Sequence, residues 1–399
     1  MKKRILIIAN FTRLPWEKGN SRFPYIIDLI NKEKYEVELV TSSFSHSDKK
    51  QRENKSEEIN LDYKITLIDE PGYKKNVSLK RFYSHRVFAK NVEKHLGEIK
   101  KPDVIYCAVP SLDVAKVAAK YAENNDIKFI IDIQDLWPEA FKMVFKVPVI
   151  SDIIFYPMKK KADYIYSRAN NIVAVSKTYA NRAAVVNKQF EKKLSVYLGT
   201  DLGKFDETRK LNRISHNDDV IRIAYIGTLG SSYDIKCVID SLKILNDKGI
   251  RNILFVVMGN GPLQEEFEAY AKEQKVNCDF TGRLAYDEMI GRLCACQIAV
   301  NPIRKGSAGS IINKVGDYAA AELPVVNTQE SKEYRKLVED YQIGFNIETS
   351  NAVEMAEKIE MLYNDEALRK RLGKNNRKLA EEKFDRANTY KKIKELIEV

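Results

Sequence analysis

Residues 304–327 read RKGSAGSIINKVGDYAAAELPVVN, which predicts a loop rich in Gly and Ser, a helix and a short buried strand. Residues three and four apart share a helical face, so Asn313, Lys314 and Asp317 are expected to project together. Unpaired backbone N–H groups where such a loop enters a helix suit a phosphate or diphosphate, and a carboxylate one turn later suits sugar hydroxyls. The segment indicates a nucleotide-type site, and an ordinary surface helix with a charge pair is the alternative.

Around this stretch, short apolar runs alternate with helical patterns along both halves of the chain. In the first half the runs are RILIIAN, EVELVTS, KITLID, DVIYCAV, KFIIDIQ and NNIVAVS, and in the second they are VIRIAYIG, NILFVVMG, CDFTGR, QIAVNP and LPVVNT. Apolar strands separated by helices predict parallel sheets that are covered on both faces. A chain of 399 residues exceeds one typical core, so we expect two doubly wound α/β domains.

The domain boundary is expected near the polar stretch 203–219, which lacks apolar periodicity. We therefore assign residues 1–200 to a first domain and residues 201–384 to a second. A last helix within residues 385–399 is expected to pack back on the first domain.

The net charge of +11 lies in the first half of the chain. Residues 71–90 carry six Lys and Arg and no acid, and Lys159, Lys160 and Lys161 follow an apolar stretch. Basic clusters beside apolar groups favour an anionic membrane surface. No motif that reads nucleic acid accompanies them, so nucleic acid is not expected as a partner, and a solvated basic face remains the alternative.

The five cysteines are scattered, which favours a reducing compartment over a disulfide framework. No apolar stretch is long enough for a membrane-spanning helix. We therefore expect a cytoplasmic protein.

Glycine loops follow several of the predicted strands, where ligands bind in such sheets. Gly227 and Thr228 follow the first strand of the second half, and Gly259 and Gly261 follow the next. The latter loop lacks the third glycine of a dinucleotide fingerprint, which argues against a hydride-transferring enzyme.

Two loops of the first half belong to the same pattern. Gly19 could let the backbone approach a diphosphate, and DLWPEAF places Asp135 and Glu139 beside Trp137. Asp135 suits a sugar hydroxyl, with a helix cap as the alternative.

Metal-binding motifs are absent from the sequence. It has no Asp-x-Asp, no pair of His in metal spacing and no Walker A loop. A departing diphosphate is therefore expected to be stabilised by protein cations and helix dipoles, with no metal and no cofactor.

The motifs YIGTLG, VVMGNGPLQEEF, FTGRL and NKVGDYAAAELPVVNT resemble the donor-binding half of glycosyltransferase family 4. DIQDLWPE and KGNSRF resemble the acceptor half of its bacterial surface-polysaccharide branch. The resemblance implies the GT-B architecture, with two Rossmann-like domains facing a central cleft. It also implies a retaining, metal-independent transfer of a hexosyl or N-acetylhexosaminyl group.

The implied donor is a nucleotide diphosphate sugar, with UDP favoured over GDP and dTDP. The implied acceptor is a glycan on a polyprenyl diphosphate, in capsule, exopolysaccharide or O-antigen synthesis. Such an enzyme would be cytoplasmic and peripherally associated with the inner face of the cell membrane.

Carried over by matching position, the resemblance assigns roles to individual residues. Lys314 and the 309–311 amides would stabilise the departing diphosphate, and Asp135 would orient the reacting hydroxyl or sugar. The expected donor-binding residues are Gly19, Gly227, Thr228, Gly261, Arg283, Leu284, Lys305, Ser310, Ile311, Asn313 and Asp317. The expected acceptor and membrane residues are Lys74, Lys75, Arg81, Arg86 and Glu139.

The chain departs from the family pattern at four places. Gly309 stands where the family's first motif glutamate is expected, and Asp317 replaces its second glutamate. The usual clamp cations are missing around residues 228–233, and Gln134 replaces a common histidine. Two alternatives therefore stay open: a catalytically silent GT-B partner subunit and a nucleotide-hexosamine 2-epimerase.

Overall fold

The computed structural model describes residues 2–17, 19, 21–56, 58–76, 78–144, 148–216, 218–307 and 310–398. The chain divides into two compact units. The first unit comprises Met1–Val196 and Tyr390–Val399, and the second comprises Tyr197–Thr389.

The strands are, in chain order, β1 (Lys3–Ile8), β2 (Tyr35–Ser42), β3 (Phe44–Ser45), β4 (Lys50–Gln51), β5 (Lys64–Ile68), β6 (Val104–Val109), β7 (Lys128–Ile133), β8 (Asn171–Ala174), β9 (Lys192–Ser195), β10 (Ile221–Ile226), β11 (Ile253–Met258), β12 (Cys278–Gly282), β13 (Ile298–Asn301), β14 (Val325–Asn327) and β15 (Gly344–Asn346).

The helices are α1 (Arg22–Leu29), α2 (Leu79–Glu98), α3 (Leu112–Asn125), α4 (Glu139–Val144), α5 (Pro148–Ser167), α6 (Lys177–Val186), α7 (Leu202–Leu211), α8 (Ile235–Asp247), α9 (Gln264–Glu273), α10 (Tyr286–Cys294), α11 (Lys314–Ala320), α12 (Lys332–Tyr341), α13 (Ala352–Asn364), α14 (Glu366–Leu379), α15 (Arg386–Thr389) and α16 (Lys391–Ile397). A π-helical turn spans Ala380–Phe384.

Each unit is built on one parallel sheet. The first has the strand order β5-β2-β1-β6-β7-β8-β9, and the second has the order β12-β11-β10-β13-β14-β15. Neighbouring strands within each of these sheets run parallel. The predicted parallel α/β architecture is therefore confirmed. The strand order reverses beside β1 and beside β10, where ligands bind in sheets of this kind.

Apolar strands explain why the sheets form. Every residue of β6 and of β13 is buried, because helices cover both faces of a parallel sheet. Around β13 and β14 the core of the second unit includes Val315, Tyr318 and Ala319 of α11.

The C-terminal helix α16 packs on the first unit. Tyr390, Ile393, Leu396 and Ile397 are buried in the same apolar cluster as residues of α1 and β1. Burial of this apolar face accounts for the return of the chain to the first unit.

The chain passes from the first unit to the second after Val196 and returns to the first unit at Tyr390. The Thr200 N–H donates to Phe384 O at 2.8 Å, and the Arg386 N–H donates to Thr200 O at 3.1 Å. These backbone hydrogen bonds hold Thr200 and α15 within the second unit. The first unit thus ends at Val196, before the expected residue 200, and the returning segment begins at Tyr390, after the expected residue 385.

A buried ion pair lies beneath the sheet of the first unit. Arg22 Nε donates to Asp132 Oδ2 at 2.7 Å, and Tyr106 OH donates to the same oxygen at 2.6 Å. Arg22 Nη1 also donates to Tyr390 OH at 3.0 Å. One carboxylate and one guanidinium thereby connect α1, β6, β7 and the start of the returning C-terminal segment.

Among the residues that the structure describes, no helix combines the length and apolar character needed to cross a bilayer.

Candidate functional site

The second unit holds a buried lysine where loops converge after β10 and β13. Lys314 is 8% exposed, and its Nζ lies 4.0 Å from the Tyr225 ring centre and 4.1 Å from that of Tyr233. This Nζ has no hydrogen-bond partner among the described residues. A buried ammonium without an anionic partner is costly, so the position favours binding of an anion.

Burial lowers the pKa of Lys314 well below its ordinary value. An arriving anion favours the charged form of a neighbouring amine. Lys314 is therefore suited to gain a proton together with a negatively charged ligand.

Gly227 lies against this ammonium. It adopts φ of +138°, and a Cβ atom at residue 227 would lie 3.0 Å from Lys314 Nζ. Both the backbone conformation and the close approach require glycine here.

Asp317 lies one turn after Lys314 and is partly buried. Its Oδ1 accepts hydrogen bonds from Thr200 Oγ1 at 3.0 Å and from Tyr286 OH at 2.9 Å. No described residue donates to its Oδ2, and burial raises the pKa of this carboxyl group. One carboxylate oxygen is therefore fixed while the other can accept from a ligand hydroxyl.

The alternative of a surface helix with a charge pair does not fit these positions. Lys314 contacts Tyr225 and Tyr233, and within the described part of the chain it forms no ion pair with Asp317. Asn313, expected on the same face, is exposed and makes no side-chain capping bond.

Helix α11 begins at Lys314, so Ser310 and Ile311 lie in the preceding loop. The Ile311 side chain is buried in the core because it packs beneath α11. The backbone N–H groups of Ser310 and Ile311 have no acceptor among the described residues, and the Ser310 hydroxyl is also buried without a partner. Gly309 lies outside the described residues.

Other predicted donor residues lie around the same sheet edge. A Cβ atom on Gly261 would lie 2.3 Å from Leu229 O, so this glycine permits two loops to pack closely. The Thr228 carbonyl accepts a hydrogen bond from Tyr225 OH at 2.8 Å, while the Thr228 side chain is exposed.

The remaining cations of this edge are solvent-facing. Arg283 and Lys305 are exposed, and Leu284 packs against the core. The Arg304 Nε lies 3.9 Å from Asp234 Oδ1, so this arginine has an acidic partner.

The first unit has a cavity of about 210 Å³ at the carboxyl ends of β1, β6 and β7. Its lining consists of Phe11, Phe23, His46, Arg81, Ala108, Pro110, Gln134, Asp135 and Trp137. Sequence reasoning found Asp135 but did not bring Phe11 or His46 to this place.

Asp135 is fixed within this cavity by three donors. Its carboxylate accepts from the Leu136 N–H at 2.9 Å, from Trp137 Nε1 at 3.2 Å and from Tyr179 OH at 3.4 Å. Burial raises its pKa despite these bonds. Helix α4 begins only at Glu139, so Asp135 does not cap it.

The predicted acceptor and membrane cations separate into two groups. Lys74, Lys75 and Arg86 are exposed, whereas Arg81 is 8% exposed and lines the cavity. Arg81 therefore lies apart from the exposed cations of this basic run. Arg81 lies on the buried face of α2, four residues before His85. This helical spacing could have identified it from the sequence.

Glu139 and Gly19 have other surroundings. Glu139 Oε1 accepts from Arg182 Nε at 2.6 Å, so this carboxylate is paired. Gly19 has φ of +120°, and a Cβ there would lie 3.0 Å from the Arg13 side chain. Its neighbours Lys18 and Asn20 lie outside the described residues.

Comparison with known proteins defines the class. The family of glycosyl transferases group 1 matches residues 206–379. The capsular polysaccharide biosynthesis glycosyltransferase CapM of Staphylococcus aureus is 26% identical over 296 residues, which cover 71% of this chain and 73% of CapM.

Solved structures share the fold of the whole chain. Sucrose-phosphate synthase of Thermosynechococcus elongatus matches with a TM-score of 0.70 at 14% identity, over 99% of this chain and 98% of the synthase. HepE of Anabaena, in complex with UDP, matches with a TM-score of 0.65 at 15% identity, over 98% of both chains.

The fold and these matches define a glycosyltransferase with the GT-B architecture. More particularly, the second unit carries a group 1 glycosyltransferase domain, and the sequence-based recognition of glycosyltransferase family 4 is confirmed.

Proposed function

We propose that this glycosyltransferase moves a hexosyl or N-acetylhexosaminyl group from a nucleotide diphosphate sugar to a glycan on a polyprenyl diphosphate. The similarity to CapM supports a place in bacterial capsule, exopolysaccharide or O-antigen synthesis. The UDP bound to HepE supports a UDP-sugar as donor.

Lys314 carries the proposal for the donor. A buried amine without a hydrogen-bond partner, held between two tyrosine rings and beside Gly227, suits the charge of a diphosphate. Negative charge accumulates on the diphosphate as the sugar departs, and a fixed cation stabilises that charge. Metal independence and retention of configuration are parts of this proposal.

Two carboxylates complete the proposed roles. Oδ2 of Asp317 accepts from a ribose hydroxyl while Thr200 and Tyr286 hold Oδ1. Asp135, held by Trp137 and Leu136, orients the reacting hydroxyl or sugar.

Calorimetry with UDP tests the donor site. We expect Lys314→Met to weaken UDP binding by about tenfold or more, equivalent to at least about 1.4 kcal/mol. The matched control is Lys336→Met, which removes an exposed lysine of α12 in the same unit and should change the affinity by less than about threefold. Equal affinities of Lys314→Met and the unsubstituted protein would remove Lys314 from the site.

Turnover tests the rest of the reaction. A panel of nucleotide sugars with a prenyl-diphosphate-linked acceptor should yield one elongated product, in the presence of EDTA as well as without it. NMR of the product reports whether the anomeric configuration is retained. Absence of nucleotide-sugar binding in calorimetry would favour the silent partner subunit.

A membrane surface on the first unit is the second part of the proposal. Leu79 and Tyr83 of α2 are 87% and 62% exposed, among the exposed Lys75 and Lys80. On α5, Ile153 is 72% exposed. Apolar side chains surrounded by cations favour the interface of an anionic bilayer.

Ring contacts join the two helices. The ring centres of Phe82 and Phe141 are 5.9 Å apart, and those of Phe141 and Phe155 are 5.8 Å apart. The exposed residues of α2 and α5 therefore flank one continuous aromatic cluster. We place the lipid-linked acceptor and the inner membrane face on this side of the first unit.

Vesicle sedimentation tests this surface. The protein should sediment with vesicles of phosphatidylglycerol and phosphatidylcholine, and much less with phosphatidylcholine alone. Leu79→Glu should reduce the bound fraction, whereas Leu211→Glu, at a position 79% exposed on the second unit, should not. Equal loss in both variants would contradict the proposed surface.

A further inference from the structure

The cavity of the first unit contains a guanidinium that forms no close ion pair among the described residues. The Arg81 Cζ lies 4.7 Å from the Trp137 ring centre, 5.5 Å from that of Tyr73 and 5.6 Å from that of Phe11. Its Nη1 donates to Asn76 O at 2.7 Å, and its Nε is buried with no partner among the described residues. Within the described part of the chain, no carboxylate lies at ion-pair distance from Arg81, and Asp135 and Glu70 attract it only from farther away.

Lys49 adds a second cation next to Arg81. Its Nζ donates to Asn76 Oδ1 at 2.6 Å and lies 4.8 Å from the Tyr73 ring centre. Burial and the charge of Arg81 lower the pKa of Lys49 to about 8. At neutral pH both Arg81 and Lys49 are therefore charged.

The histidines of the cluster do not add to this charge. Burial, followed by the nearby cations, lowers the pKa of His46 and of His85 to about 3. Both imidazoles are neutral at physiological pH. The positive charge beside the cavity thus comes from Arg81 and Lys49.

A neutral donor lines the same cavity. Gln134 Nε2 is buried and has no hydrogen-bond partner among the described residues. Asp135, the carboxylate of the lining, is already engaged by Trp137 and Leu136. The volume of about 210 Å³ would hold about seven water-sized groups.

We propose that this cavity binds an anionic group of the acceptor, with Arg81 Nε and Gln134 Nε2 as donors. An anionic ligand would accept a strong, charge-assisted hydrogen bond from the unpartnered Nε of Arg81, and a neutral sugar would form a weaker one. The inference rests on the proposed function only in taking the ligand to be the acceptor. The anion is either the diphosphate of the lipid carrier or the carboxylate of an acidic sugar, since both present oxygens to a guanidinium.

Trp137 serves as a reporter because it contacts Arg81. The chain has two tryptophans, so Trp16→Phe leaves Trp137 as the only indole. In this background, saturated with UDP to fill the donor site, farnesyl diphosphate, glucuronate and glucose are titrated separately. We expect one of the two anions to change the Trp137 fluorescence at a lower concentration than glucose, and the tighter anion identifies the source.

Variants test the role of Arg81. Arg81→Gln should weaken the tighter anion by about tenfold or more. Arg168→Gln is the matched control, because Arg168 belongs to the same unit and its side chain is 45% exposed. The affinity of this variant for the anion should stay within about twofold of the parent's. Arg81→Lys keeps the charge but loses Nε, so its affinity for the anion should lie between those of Arg81→Gln and the control variant.

Two results would overturn the inference. One is an Arg81→Gln variant that still binds UDP and binds the anion as tightly as the parent. The other is a response of Trp137 to glucose equal to its response to both anions. If the parent protein does not bind UDP, that result counts against the proposed donor site. The Trp137 titration without UDP then still shows whether the cavity binds the anion.

Discussion

Lys314 Nζ lies 3.0 Å from the point that a Cβ atom of residue 227 would occupy, and Gly227 leaves that space free. A glycine on the loop after β10 and a lysine opening α11 thus share one small volume. The nearness of the two residues explains why the ammonium can lie between two rings and still face the loop.

Gly227→Ala should weaken UDP binding by about tenfold, or about 1.4 kcal/mol. The new methyl group would crowd Nζ, and φ of +138° disfavours a side chain. Calorimetry measures the affinity. Gly230→Ala is the matched control in the same loop, because its Cβ would meet only Thr228 Cγ2 at 3.8 Å. A similar loss of affinity in both variants would show that the loop as a whole, and not the contact with Lys314, matters.

UDP binding should take up a proton. Burial lowers the pKa of unliganded Lys314, and a bound diphosphate would raise it again. Between these two pKa values binding protonates the amine, so the affinity should fall as the pH rises. Calorimetry in two buffers of different ionisation enthalpy measures the proton uptake, which should disappear in Lys314→Met. Absence of uptake in the parent protein over the whole pH range in which it is folded would contradict this assignment.

Tyr286→Phe should weaken UDP more than inorganic pyrophosphate. The substitution removes one of two hydrogen bonds to Asp317 Oδ1, and the proposed partner of Asp317 is the ribose. We expect a loss of about threefold to tenfold for UDP, corresponding to about 0.6–1.4 kcal/mol. Tyr270→Phe is the matched control. It removes a hydrogen bond of the same kind, from Tyr270 OH to Asp240 with an O···O distance of 2.5 Å, and should change the affinity for neither UDP nor pyrophosphate. Equal losses for UDP and pyrophosphate would indicate a general disturbance of the site.

Asp132→Asn should destabilise the first unit by about 3–5 kcal/mol, because it leaves the buried Arg22 without its counter-charge. Both tryptophans, Trp16 and Trp137, belong to this unit, so urea unfolding followed by fluorescence reports its stability. Glu98→Gln breaks an exposed pair with Lys94 in the same unit and should change its unfolding midpoint little. A small change in Asp132→Asn would mean that the hydrogen bonds of Arg22 to Tyr390 and to Val196 O suffice.

The secondary structure could be predicted because it depends on residues that are close together in the sequence. Apolar runs such as VIRIAYIG alternate with helical patterns, and that alternation alone favours parallel strands covered by helices. The glycine loops and Asp317 were recognisable for the same reason, since the residues that matter follow each other along the chain. The place of Thr200 in the second unit was not recognisable in this way, because it depends on backbone pairing with Phe384, far away in the sequence.

The surroundings of the charged residues could not be predicted from the sequence, because they depend on tertiary contacts. Arg81 and Arg86 belong to one basic run, yet only Arg81 is enclosed, by rings from three separate segments: Phe11, Tyr73 and Trp137. Lys314 acquires its lowered pKa from Tyr225 and Tyr233 of a distant strand and loop, which exclude water from its amine. The sequence by itself determined which elements form and where the glycine loops lie. Burial, which depends on residues far apart in the chain, decided which cations lack a partner.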